Sequence, residues 1–125
     1  MLSRTADHVY WLGRYAERAE NLARTLDVQY RLSLLPSEVR ADGSGWAQML
    51  QTLGLRTAYS ERHETMDPRH VIDFVAFDTA NPSSILSCLR AARENAHAVR
   101  GSISSEMWET FNSTWLEARN QAPSR

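Results

Sequence analysis

Residues 4 to 34 form the longest helical pattern in the chain, opened by Ser3 or Thr5 as N-cap candidates and closed before Pro36. At 100° per residue, Val9, Leu12, Ala16, Ala19, Ala23, Leu26 and Tyr30 fall on one side, and Trp11, Tyr15 and Leu22 broaden that stripe. A helix of this kind must lay its apolar side on other elements, so the rest of the chain has to supply a cover for it. The opposite side carries Tyr10, Arg14, Glu17, Asn21, Arg24 and Val28, which are neighbours at i, i+3 and i+4.

The remaining segments also read as helices separated by breaks. Pro36, Gly43 and Gly45 dilute any pattern, which predicts a loop over 37–45. Ser44 is then a cap for a short helix over 45–53, with Trp46, Met49, Leu50 and Leu53 as its apolar face and Gly54 as its stop. The stretch "RTAYSERHETM" reads equally as helix or as irregular connection. Asp67 before Pro68 is a strong helix start, because the carboxylate accepts from free N–H groups while proline loses nothing at the first helical position. The helix that follows, to about Phe77, is apolar nearly all round and should run through the middle of the fold. After "DTANPSS", one of Asn81, Ser83 and Ser84 caps a helix to about Arg100, which Gly101 ends. Ser104 or Ser105 with Glu106 opens a last helix to about Asn120, whose Met107, Trp108, Phe111, Trp115 and Leu116 keep helical spacing. No segment sustains the period-2 alternation of a strand. The expected fold is all-α, a helical bundle of four to five helices in one domain over residues 1–125, packed up and down.

Composition bounds what such a bundle can do. Its 125 residues, 42% hydrophobic and 23% charged, suit a single globular core. A net charge of −1 provides no field to draw in nucleic acid or an anionic membrane. No apolar run has the length of a membrane span, and "MLSRTADHVY" lacks the features of a signal peptide, so a cytoplasmic location is expected. Cys88 is the single cysteine; it sits in "SILSCLRAA" and reads as a small core residue. All the basic residues are arginine, the side chain suited to two-pronged carboxylate pairing.

The charged motifs allow three readings. Glu17 and Glu20 lie three apart, Arg14 and Arg18 four apart, and Arg24 follows Glu20 at the favourable i, i+4 spacing. They form a solvated face, an interhelical polar network, or a binding site for a carboxylate, phosphate or peptide end. "ARENAHAVR" over 92–100 echoes the same chemistry with Arg93, Glu94 and Asn95, and Arg93, Asn95 and Arg100 are the partners such a network would use. Glu94 and His97 have the E-x-x-H spacing of di-metal bundles, but the chain holds no second such motif; they are weak metal candidates only, and no cofactor is implied. There is no glycine-rich phosphate loop, no G-x-S-x-G and no H-E-x-x-H, so no catalytic set is readable.

The opening "MLSRTADHVYWLGRYAERAENLARTLDV" resembles the start of the bacterial alpha-E domain family, all-helical domains with a glutamate–arginine motif, here Glu17-Arg18. "NPSSILSCLRAARENAHAVRGSISSEMWETFN" is similar to the family's second block. Members usually extend well beyond this length, so the resemblance is to their N-terminal portion. The resemblance implies association with a circularly permuted ATP-grasp protein, often near a transglutaminase-like peptidase. It implies an accessory or substrate-handling module of a peptide synthesis or modification system. The alternative is an enzyme acting on a peptide or amide through its Arg/Glu cluster, with metal assistance at Glu94 and His97. An incomplete bundle with an exposed Trp108, Phe111 and Trp115 face is also expected to form a homo-oligomer.

Overall fold

The computed structural model describes residues 2–35 and 44–123. Among them lie six α-helices and no strand: α1 (Leu2–Ser33), α2 (Ser44–Thr52), α3 (Arg56–Ser60), α4 (Pro68–Ala76), α5 (Ile85–Ala98) and α6 (Ser105–Gln121), with a 3₁₀ turn at Arg100–Ser102 between the last two. The all-α bundle read from the sequence is the fold observed. Most of the loop expected at 37–45 lies outside the described residues, and its last two members, Ser44 and Gly45, belong to α2. Ser3 and Thr5 are already inside α1 rather than capping it. Of the ambiguous stretch, Arg56–Ser60 is helical and the rest is irregular.

The helix ends follow local chemistry. Asp67 accepts from Arg69 N at 2.9 Å with Pro68 at the first position of α4. Ser84 and Ser104 each accept from the backbone N–H three residues on, at 3.1 Å, and so open α5 and α6. Gly54, at φ +75, stops α2: Leu55 N donates to Leu50 O at 2.8 Å and Gly54 N to Gln51 O at 3.0 Å, while the buried Leu50 and Leu55 side chains close the same turn.

α1 is covered along one side only. Its buried residues are Leu12, Ala19, Leu22 and Gln29, joined by half-buried Thr5, His8, Tyr15, Ala16, Thr25, Leu26 and Leu32. The line Thr5, His8, Leu12, Tyr15, Ala19, Leu22, Leu26 and Gln29 alternates steps of three and four residues, a 3.5-residue repeat flanked by Ala16, Thr25 and Leu32, whereas the sequence expectation used a straight 3.6 period. The seam keeps Leu12, Ala16, Ala19 and Leu26 of the expected stripe and the flanking Tyr15 and Leu22, while Val9 (44% exposed), Tyr30 (48%), Trp11 and Ala23 face solvent instead. α5 lies antiparallel on this seam: His8 meets Asn95, Leu12 clusters with Ala92 and Ala96, and Ala19 and Leu22 share a core with Cys88. Cys88, Ala92 and Ala96 recur every four residues and are fully buried, so α5 presents a row of small side chains that lets α1 approach closely.

The main core gathers Ala19 and Leu22 of α1, Trp46, Met49 and Leu50 of α2, Tyr59 of α3, and Val71, Phe74 and Val75 of α4 around Cys88. α4 is buried on most sides, as its composition demanded. α6 returns antiparallel to α5, with Asn112 beside Arg93 and Trp108 beside His97. The three longest helices thus run up, down and up. None of α6's residues is fully buried; Trp108, Phe111 and Trp115 are half-covered.

Candidate functional site

The loop between α4 and α5 is tied down before it reaches the site. Asn81 is buried; its side chain donates to Phe74 O at 3.0 Å and accepts from Ser83 N at 3.0 Å. Asp78, also buried, accepts from Arg62 at 2.8 Å and from Ala80 N at 2.9 Å. Thr79 and Pro82 of this loop form one end of a groove of about 410 Å³. α1 contributes Tyr15, α5 contributes Leu86, Arg90 and Glu94, and α6 contributes Trp115 and Arg119.

Arginines brace the aromatic walls. Arg18 lies over Tyr15, 5.7 Å from the ring centroid. On the opposite wall Arg93 lies 4.8 Å over Trp115 and 5.5 Å over Trp108, and its Nε donates to Asn112 Oδ1 at 2.7 Å. Arg119 sits 4.7 Å over Trp115, and Arg100 sits 5.1 Å over Trp108. Arginine, tryptophan, arginine, tryptophan and arginine therefore stack in a row along α5 and α6, each contact a cation over a ring face. None of Arg18, Arg93, Arg100 and Arg119 has an ion pair among the described residues. Arg90 does, with Glu94 at 3.2 Å. The Trp115 indole N–H is buried with no acceptor among the described residues.

Of the three readings of the charged motifs, the interhelical network does not form among the described residues. Arg14 and Glu17 pair with each other at 3.9 Å, with side chains 53% and 76% exposed. Glu20 pairs with Arg24, and Asn21 is exposed. Their expected partners are engaged elsewhere: Arg93 with α6, Arg100 with Trp108, and Asn95 with His8 at 2.9 Å and Ala91 O at 2.8 Å. The physical reason is that α1 is covered on its seam alone, so the charged strip keeps its water and pays no desolvation cost. Asn95 does bridge α1 and α5, through a residue of the seam rather than of the strip.

Glu94 and His97, the weak metal candidates, diverge in their contacts. Glu94 receives Arg90 at the groove, while His97 packs against Trp108 with ring centroids 5.4 Å apart. No cluster of three or more potential metal ligands occurs among the described residues. Cys88 is fully buried in the core; burial pushes its thiol pKa up, and the Arg18 guanidinium partly opposes that rise.

Sequence reasoning missed Arg90, Arg119 and the wall-forming role of Tyr15 and Trp115. A signal was present: Trp108 and Trp115 are seven apart on α6, and Arg119 follows Trp115 by four, the spacing that stacks side chains on one face. No described helix is long and apolar enough to cross a membrane. A family model described as a predicted alpha-helical domain with a conserved ER motif matches residues 1–125, the whole chain. Comparison with curated proteins and with solved structures gives no match.

Proposed function

The chain belongs to the Alpha-E family, and on that footing we propose that it is an accessory, substrate-handling helical module of an ATP-grasp-linked peptide synthesis or modification system. One observation supports the substrate-handling part. The two motif blocks, far apart in sequence, meet at a single groove: Tyr15, braced by Arg18 of the Glu-Arg motif, forms one wall, and Trp115, braced by Arg93 of the second block, forms another, with Glu94 between. A concave, largely apolar site with a few charged groups on its rim is what a small ligand or a peptide end requires.

The circularly permuted ATP-grasp partner follows from the family resemblance; a cytoplasmic setting belongs to the same reading, and the uncovered sides of α1 and α6 motivate a homo-oligomer. The enzyme reading is set second because Glu94 and His97 turn to different neighbours. Affinity capture of a co-expressed circularly permuted ATP-grasp protein, encoded beside this chain, tests the proposal. Stable co-purification with a tagged chain that carries no stoichiometric metal is the expected result. A folded chain that fails to retain a folded ATP-grasp protein sinks the partner assignment, and stoichiometric iron or manganese would favour the enzyme.

A further inference from the structure

We propose that the groove between α1, α5 and α6 binds the free C-terminal carboxylate of a peptide that ends in an apolar residue. This rests on the substrate-handling reading above and adds the chemical class of the ligand. The charge pattern selects a monoanion. Of the two guanidinium groups in the lining, Arg90 is engaged by Glu94 at 3.2 Å, while Arg119 has no carboxylate among the described residues. The Arg119 guanidinium carbon lies 4.7 Å from the Trp115 ring centroid. Its planar fork of N–H groups, which makes no ion pair among the described residues, matches two carboxylate oxygens, and contact with the ring limits the rotamers lost on binding.

Glu94 cancels one of the two positive charges in the lining, so the single charge left matches the one negative charge of a carboxylate rather than the two of a phosphate. The rest of the surface suits an apolar side chain, since Tyr15, Leu86 and Trp115 form the walls. A volume of about 410 Å³ holds about the last two residues of a peptide, not a long segment.

The test uses the full chain and two probes: a fluorescein-labelled tetrapeptide ending in leucine with a free carboxylate, and the same peptide as its C-terminal amide, both followed by fluorescence anisotropy at low salt. The acid is expected to bind at least roughly tenfold more tightly than the amide, the worth of one charge-assisted hydrogen-bonded pair. Arg119→Gln should bring the acid down to the amide's affinity with an unchanged circular dichroism spectrum, and Arg119→Lys should keep part of the difference. Equal binding of acid and amide, or no binding of the acid at millimolar concentration, overturns the proposal. A preference that survives Arg119→Gln overturns its assignment to this groove, and displacement of the peptide by micromolar inorganic phosphate overturns the choice of carboxylate. An Arg119-dependent preference in a chain that captures no ATP-grasp protein leaves this inference standing and removes only the partner.

Discussion

Glu17 belongs to the motif that marks the family, and among the described residues its carboxylate pairs with Arg14, one turn away at 3.9 Å, with both side chains more than half exposed. Exposed pairs of this kind contribute between about 0 and 1 kcal/mol. Glu17→Ala is therefore expected to lower stability in urea by less than about 1 kcal/mol; a loss of about 3 kcal/mol or more would reveal a buried partner. Cys88 is the opposite case. Its buried thiol should resist a disulfide reagent at pH 8 in the native chain and react once urea unfolds it. Because the folded thiol titrates above its ordinary value of 9.0, the unfolded chain gives up its proton first as pH rises. Its contribution to stability is complete below that value and falls as pH climbs past it. Rapid modification of the native chain would contradict the burial. Charge spacing along α1 was readable, but water or protein beyond the strip was not, because that depends on where other helices lie.

Caps and stops are decided within one helical turn, which is why they are the most legible elements. Ser84 is fully buried and its Oγ receives Ser87 N, so Ser84→Ala should cost about 1–2 kcal/mol, through the lost cap and the stranded donor. Gly54→Ala forces a side chain into the left-handed region at φ +75 and should cost about 1–2 kcal/mol. Both are measured as shifts in the urea midpoint, and a neutral result would show that the α2 or α5 terminus is built otherwise. Phe74 on α4 packs edge-on to Tyr59 at 5.5 Å in the main core, so Phe74→Ala should cost about 3–5 kcal/mol. The apolar composition of α4 announced this burial; α3 was ambiguous, since five residues are too few for a period to be read.

At the scale of the molecule, α1 and α6 are each covered on one side. Val9, Tyr10, Trp11, Val28, Tyr30, Leu34 and Leu35 are exposed on or just beyond α1, and α6 keeps a half-covered aromatic face. Patches of this kind are usual at subunit contacts. Sedimentation at tens of micromolar is expected to show a homodimer, and a monodisperse monomer would count against it.

The amino-acid order by itself determined the helical class, most of the break points, the Asp67 and Gly54 signals and the apolar character of α4, and narrowed the α5 cap to Asn81, Ser83 or Ser84, since each depends on neighbours within about one turn. Only the tertiary structure decided which side of α1 is the seam. A 3.5-residue repeat and a 3.6-residue repeat diverge slowly along one helix, and the small side chains Cys88, Ala92 and Ala96 on a distant helix chose between them. The same packing brought Tyr15, Arg93, Trp115 and Arg119 together. No local pattern could announce that groove, because its walls come from three helices whose registers are set by the close approach of α1, α5 and α6.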